Sequence, residues 1–368
     1  MKKTLPVIGA LGASALLLTG CMSGGGSTAE VDASVFENPV AGEVPADSLD
    51  GTTMTFVSYG GEFQTGQMTA FADPFSEITG ATVLEDGPTD MAKLQAQVES
   101  GNVTWDVLDA TPAKVEAYCG EIFEPLDMDR IDTSKIPEGV GSGECWVPSL
   151  TYMYGLYYNA DVYGDNPPTG WEDFFDTENF PGTRAIDGRN TPTPGTLEGA
   201  LMGDGVAPED LYPLDTDRAL EKYRSIEDDL VYWTSGAEQT QMLQGGEADL
   251  IFGWAGNIFD ANNGGTNYKP VYEQAIVAPD TFSITKGSPN TEAAYAYINF
   301  ALGAEQQAQM TELTGYSNVN VDAKPELDEM GNEFDISQHM DGTVPQNAVY
   351  WAENLDELTE VWTGYLNS

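Results

Sequence analysis

Basic residues are scarce in this chain, and histidine is almost absent. Among 368 residues, Lys and Arg number 14 against 60 Asp and Glu, and the only histidine is His339, so the formal net charge is −46. Proteins that bind nucleic acid need Lys and Arg to neutralise phosphates, so this composition argues strongly against that class. It also disfavours a basic membrane-surface patch. One histidine and three cysteines leave little material for a histidine-rich metal site or a Ser-His-Asp triad.

The acidic surplus has two interpretations. It can serve solvation and colloidal stability of an exported protein, as in a salty habitat, or it can attract a cationic partner. The content of hydrophobic residues, 41% with 10% aromatics, is sufficient for a packed core. The length exceeds the usual size of a single core and suggests a large two-lobed unit or two domains.

The N-terminus indicates export. Lys2 and Lys3 precede an apolar run over residues 5–18, which is too short to span a bilayer comfortably and is typical of a secretory signal. The run ends in Leu-Thr-Gly-Cys at 18–21, which resembles the lipobox of bacterial lipoproteins. That resemblance implies a signal peptide over 1–20 and lipidation of Cys21. The alternative is an ordinary signal with an incidental cysteine.

Residues 21–50 are rich in Gly, Ser, Ala and Glu and are predicted to form a flexible linker between the lipid and the fold. Cys119 and Cys145 are the remaining cysteines. In an exported chain they favour one disulfide, worth roughly 3 kcal/mol in the chain-entropy model. Two unpaired thiols are the alternative.

Strands and helices alternate after the linker. The pattern predicts a strand over 53–58, a helix with Met68, Phe71, Phe75 and Ile78 on its buried face, and a second strand over 81–85. A helix capped by Thr89 and a third strand over 105–108 follow. This order predicts a parallel α/β sheet.

Ligands of such sheets bind beyond the carboxyl ends of the strands. That rule places Tyr59, Gly60 and Gly61 after the first strand and Asp109 and Thr111 after the third at the edge of a candidate site. The two glycines would let a ligand approach the backbone closely.

Two extended segments, near 150–158 and 276–285, predict two crossings between α/β lobes and hence a two-strand hinge with a ligand cleft. The first lobe is expected to comprise 51–150 plus 282–330, and the second lobe 151–281. Residues 331–368 would form a C-terminal segment ending in a packing helix over 354–366.

Several segments, taken in order, are similar to those of extracellular solute-binding proteins of ABC transporters, the spermidine/putrescine type in particular. They are Lys93–Val107, Phe123–Asp127, Pro168–Phe174, Trp233–Ala237, Gly245–Asp249 and Lys286–Asn290. The resemblance implies a two-lobed type II periplasmic-binding fold, no enzymatic activity and no cofactor. It also implies capture of a small cationic solute, most simply a polyamine, for a permease and its ATPase.

In the polyamine branch, aromatic rings stack on the methylene chain and carboxylates hold the ammonium groups. By position, the resemblance assigns binding roles to Tyr59, Trp254 and Asp280, and it places Trp233 and Thr234 in a family-typical loop. Further candidates for ligand contact are Asp109, Glu198 and, at the first crossing, Tyr154.

Other functions stay open. Tyr157-Tyr158 resembles the tyrosine pair of ferric-ion binders, although adjacent strand residues point to opposite faces. A secreted hydrolase is a second alternative, but the usual nucleophile, zinc and phosphate motifs are missing. The third is the same fold with another solute, such as an amino-acid-derived cation, a sugar or an anion. For a ligand carboxylate, Arg184 and Arg189 are the candidate partners.

Overall fold

The structure is a computed structural model that describes residues 38–137 and 140–368. The signal peptide, Cys21 and most of the linker lie outside these residues. Within the described ranges, no helix has the length and apolar character needed to cross a membrane.

The first part of the chain alternates strands and helices as expected. Its elements are β1 (Thr53–Val57), α1 (Gly61–Gln67), a π-helical segment (Met68–Ala72), α2 (Asp73–Thr79), β2 (Thr82–Asp86), α3 (Met91–Ser100), β3 (Val107–Ala110), α4 (Pro112–Ala117) and a 3₁₀ turn (Met128–Arg130). Phe71 and Phe75 are fully buried, as their spacing predicted, but Ile78, placed on the same face, is 39% exposed because it lies in the last turn of α2. The predicted cap of α3 was also wrong: α3 is capped by Asp90, whose side chain accepts from the Lys93 amide, while the Thr89 hydroxyl donates to the Asp109 carbonyl.

The middle of the chain begins and ends with a long strand. Its elements are β4 (Val147–Asn159), α5 (Ala160–Tyr163), α6 (Trp171–Phe175), β5 (Arg184–Asp187), α7 (Thr196–Gly203), α8 (Thr216–Arg224), β6 (Leu230–Trp233), α9 (Gly236–Gln244), β7 (Leu250–Trp254), α10 (Ala255–Asn263) and β8 (Tyr268–Ile284), with 3₁₀ turns at Pro208–Asp210 and Glu227–Asp229.

The C-terminal part is mainly helical. It contains α11 (Thr291–Ala301), α12 (Ala304–Thr314), α13 (Glu329–Phe334), a 3₁₀ turn (Ile336–Gln338), a short β9 (Val344–Pro345) and α14 (Ala348–Leu366). The last helix begins six residues before the predicted start at Asn354.

The strands form one sheet in the order β2-β1-β3-β8-β4-β7-β5-β6, with β9 beside β8. Two parallel groups, β2-β1-β3 and β7-β5-β6, are the sheets of the two lobes. The antiparallel pair β4–β8 runs between them, so the two predicted crossings are confirmed as a two-strand hinge. The register of this pair shifts at Pro148/Leu150 and again at Tyr154/Leu156.

Two further connections reinforce this arrangement. The predicted disulfide is present between Cys119, just after α4, and Cys145, just before β4. Helix α14 packs against α4 of the first lobe and α8 of the second. From α14, the Trp351 indole donates to Glu198 over 2.6 Å, and the Thr363 hydroxyl donates to the Asn190 carbonyl over 3.1 Å.

Candidate ligand site between the lobes

Two buried carboxylates lie side by side where the hinge meets the first lobe. Asp280 is on β8 and is 7% exposed, and Asp109 is on β3 and is fully buried. Oδ2 of Asp109 accepts from the Gln67 amide over 2.6 Å and from the Ser149 hydroxyl over 2.9 Å. Oδ1 of each aspartate is buried and has no hydrogen-bond partner among the described residues. An unsatisfied buried acceptor of this kind is expected where a ligand donor binds.

Burial changes the acidity of both groups. Loss of hydration raises the pKa of Asp280 to about 7, against a smaller opposing effect of the Lys114 charge. Burial also raises the pKa of Asp109 well above its ordinary value, and the neighbouring Asp280 charge adds to this. Two carboxyl groups this close resist double ionisation, and an ammonium group arriving beside them would favour the charged form.

Four tyrosines surround Asp280. Burial raises the pKa of Tyr59, Tyr152, Tyr154 and Tyr316, and the charge of Asp280 contributes in each case. The hydroxyls of Tyr152 and Tyr154 share a hydrogen bond of 2.6 Å. The Tyr152 ring lies 6.1 Å from the Tyr316 ring. These residues form an aromatic cluster beside a buried acid, the environment in which an organic ammonium is held by charge and ring faces together.

The glycines after β1, the strand that precedes Tyr59, border free space. Gly60 and Gly61 have φ angles of 82° and 65°. A Cβ built on either would meet no heavy atom within 4 Å, so the backbone there borders free space. Their positive φ angles, which other residues adopt only at a cost, explain why glycine is required here. The Thr111 backbone lies near the Tyr59 hydroxyl, at the start of α4.

Arg189 supplies a positive group from the second lobe. It lies just past the carboxyl end of β5, where its Nη2 donates to Oδ2 of the fully buried Asp187 over 2.9 Å. Its guanidinium carbon is 4.7 Å from the ring centroid of Trp254 and 5.4 Å from that of Trp233. The arrangement fixes a planar cation against two indoles while leaving about a third of its side chain (36%) exposed.

Lys114 of α4 supplies a positive group from the first lobe. Its Nζ lies 5.8 Å from the ring centroid of Tyr59. Burial lowers its pKa, the Arg189 charge lowers it further, and Asp280 and Asp90 oppose the change. The charges of Lys114, Arg189 and Asp280 therefore act on one another. No motif singled out Lys114; the available signal was its position one turn into the helix that follows β3.

Several predicted residues lie around these charges, and others have different partners. Trp233 is fully buried behind Trp254, with ring centroids 4.7 Å apart, and its indole donates to the Phe252 carbonyl over 2.9 Å. Thr234 is exposed, and its hydroxyl donates to Glu238 over 2.6 Å. Trp254 therefore lies against the Arg189 guanidinium with Trp233 behind it, and Thr234 precedes Ser235, the N-cap of α9.

Glu198 is excluded from the candidate set because three donors of this chain occupy its carboxylate. They are the Gly195 amide at 2.8 Å, the Tyr212 hydroxyl at 2.8 Å and the Trp351 indole at 2.6 Å. The fully buried Arg184 is likewise excluded as a ligand partner, since its guanidinium donates to backbone carbonyls, that of Phe174 over 3.0 Å among them. Both residues have structural roles.

The described residues include no group of three or more His, Cys, Asp or Glu placed to hold a metal ion. The tyrosine pair considered for ferric ion is divided by the strand: Tyr157 is fully buried, with its ring stacked 5.9 Å from that of Phe334, whereas Tyr158 is partly exposed.

Comparison with known proteins identifies the class. Residues 70–333 match the family model of bacterial extracellular solute-binding proteins. The chain is 28% identical over 325 residues to the gamma-aminobutyric acid-binding protein of Pseudomonas aeruginosa, covering 86% of this chain and 91% of the relative. It is 24% identical over 286 residues to a putrescine-binding periplasmic protein of the same species, covering 70% and 76%.

The fold is confirmed by solved structures. The solved structure of the Atu4243-GABA receptor superposes on this chain with a TM-score of 0.78 at 35% identity, covering 86% of this chain and 98% of the other. The chain belongs to the bacterial extracellular solute-binding proteins, with the two-lobed fold that the sequence resemblance implied. It is thus a solute-binding protein of an ABC transporter and not an enzyme.

Proposed function

We propose that the protein captures a small solute carrying both an ammonium and a carboxylate, an ω-amino acid of the 4-aminobutanoate kind. The observation that carries this proposal is the separation of charge in the cleft: the partnerless Oδ1 of Asp280 lies at the hinge, and Arg189 reaches in from the second lobe. The ammonium would bind Asp280 among the rings of Tyr59 and Tyr154. The carboxylate would bind Nη1 of Arg189, because Nε and Nη2 already donate to Asp187 and hold the guanidinium in place.

A polyamine is the second candidate, favoured by the Asp109–Asp280 pair and by the putrescine-binding relative. The resemblance suggested that Trp254 and Trp233 would stack on the polyamine chain. In the structure, the Arg189 guanidinium already lies over both rings. A second ammonium at this place would face a cation of the protein, which favours the amino acid over the polyamine.

The expected affinity is in the micromolar range. A hydrogen bond to a charged group contributes roughly 1.5–3 kcal/mol, and a ring face over an ammonium contributes about 0.5–2 kcal/mol. Two charged ends and two ring faces therefore approach the roughly −8 kcal/mol of micromolar binding. Ordering the ligand and the lobes reduces this sum, so further contacts are needed to reach it.

The test is a calorimetric and thermal-shift panel of 4-aminobutanoate, putrescine, spermidine, glucose and ferric citrate. We expect the largest shift and a measurable enthalpy with 4-aminobutanoate, because a ligand that binds only the folded state stabilises it. Arg189→Met and Asp280→Asn should each abolish this response. Arg218→Met, at an exposed arginine paired with Asp204, is the matched control. A larger response to putrescine or spermidine would replace the amino acid by a polyamine.

The same proposal includes the cell-surface arrangement expected from the sequence. Cys21 is lipidated, residues 21–50 tether the fold, and the chain delivers its solute to the permease. The lobes comprise 51–150 plus 282–330 and 151–281. Mass spectrometry of the mature N-terminus tests the anchor: Cys21→Ser should remove the lipid mass and release the protein from membranes. Hinge-bending analysis of ligand-free and ligand-bound forms tests the lobe boundaries.

A further inference from the structure

We propose that Lys114 determines the specificity of the cleft: it binds the ligand carboxylate from the first lobe, opposite Arg189 of the second, so that only a ligand with an anionic group lets the lobes close. This inference rests on the proposed function and adds a residue that neither the sequence pattern nor the resemblance assigns.

The first argument is that Lys114 lacks a partner. Its Nζ has no ion pair or hydrogen bond among the described residues, although acids outnumber basic residues 60 to 14. Several other lysines are paired: Lys93 with Asp86 at 2.9 Å, Lys135 with Asp322 at 2.5 Å and Lys269 with Glu333. Lys324 also has no ion pair within the described part of the chain, but it is exposed, whereas Lys114 is half-buried near the ring of Tyr59. A half-buried ammonium that no described carboxylate of the chain holds is available to an acceptor on the ligand.

The second argument is its position relative to the hinge. Lys114 lies on α4, which follows β3, and Arg189 follows β5, so the two cations belong to sheets on opposite sides of the β4–β8 pair. Burial lowers the pKa of Lys114 and the Arg189 charge lowers it further, so each cation adds to the positive charge that the other meets. Closing the lobes brings these like charges together, and an anionic group between them converts repulsion into two attractive contacts.

A competing explanation is that Lys114 only neutralises Asp280 and Asp90, the acids nearest to it. The two explanations predict opposite results. If Lys114 neutralises Asp280, its removal strengthens the attraction for every ammonium ligand, with or without a carboxylate. If it binds the ligand carboxylate, its removal weakens only ligands that carry one.

The experiment is isothermal titration of the mature full chain with 4-aminobutanoate, butylamine and putrescine. Wild type is compared with Lys114→Met, with Lys114→Arg, which keeps the charge, and with Lys135→Met, the matched loss of an exposed lysine (46% exposed). We expect Lys114→Met to bind 4-aminobutanoate at least tenfold more weakly, and butylamine and putrescine as well as or better than wild type does. Lys114→Arg should recover most of the loss, and Lys135→Met should behave as wild type.

Comparing ligands within one variant cancels a general loss of folding, and Lys114→Gln replaces the methionine variant if that protein does not fold. A selective loss below tenfold, or equal losses for all three ligands, overturns the role of Lys114. Tight wild-type binding of 4-aminobutanoate alongside that result leaves the proposed function intact. A wild-type protein that binds putrescine but not 4-aminobutanoate overturns both.

Discussion

The buried carboxylate of Asp280 should make the ligand-free protein less stable at high pH. Burial raises the pKa of Asp280 from 3.8 to about 7. In the unfolded chain this carboxyl loses its proton near pH 4, whereas in the folded protein it keeps the proton until about pH 7. The folded state therefore binds more protons across that window, so stability falls as pH rises through it and is flat above.

The magnitude follows from the shift of about 3 pKa units. At about 1.36 kcal/mol per unit, ionising Asp280 in the ligand-free protein costs up to ~4 kcal/mol, a ceiling because any water that reaches the carboxylate lowers the cost. Asp280→Asn removes the titration. The free energy of unfolding of this variant minus that of wild type should be roughly 2–3 kcal/mol larger at pH 8 than at pH 5.

Urea denaturation of wild type, Asp280→Asn and Asp228→Asn at both pH values, followed by tryptophan fluorescence at constant salt, measures this difference. Asp228 is exposed and provides the same change in net charge. Ligand affinity should rise with pH up to about 7, because 4-aminobutanoate needs the ionised carboxyl of Asp280. Binding to wild type should therefore weaken about tenfold per pH unit below 7. If Asp280→Asn and wild type differ in free energy of unfolding by the same amount at pH 5 and pH 8, this account is refuted.

Three further outcomes test other parts of the structure. A Cβ at Gly256 would lie 2.6 Å from the Tyr316 ring, so Gly256→Ala must displace that ring; it should lower the free energy of unfolding by about 1–3 kcal/mol in urea denaturation and weaken ligand binding several-fold in titration. Glu198→Gln should lower the free energy of unfolding by about 1–3 kcal/mol without changing ligand affinity, because its three donors belong to the chain. Reduction of Cys119–Cys145 should cost about 3 kcal/mol of stability in urea titrations under reducing and oxidising conditions.

The spacing of apolar residues and the order of the strands predicted the architecture well, because apolar residues recur at the positions that a helix or strand buries. The spacing of Phe71 and Phe75 marked a buried helix face, and two extended segments marked β4 and β8. Two cysteines in an exported chain were enough to predict the disulfide. The ends of the helices were predicted less accurately. The last helix, α14, begins at Ala348 and not at Asn354, because the Asn347 side chain caps it by accepting from the Tyr350 amide.

The site was predicted less completely because its composition depends on contacts across the cleft. Asp280, Tyr59 and Trp254 could be named from strand ends and resemblance. Glu198 could not be separated from a ligand-binding acid, since its partner Trp351 lies 153 residues further along the chain. Lys114 could not be recognised at all, because what sets it apart is that it forms no ion pair with any described residue, and ion pairing depends on the fold and not on the local sequence.

Helix α14 has a practical consequence. It packs on α4, which carries Lys114, and its Thr363 holds the backbone of Asn190, the neighbour of Arg189. A rotation of either lobe must therefore change the contacts of α14. Glu357 on its outer surface is exposed, so a cysteine placed there and labelled with an environment-sensitive dye would turn the chain into a reagentless optical sensor of its own solute.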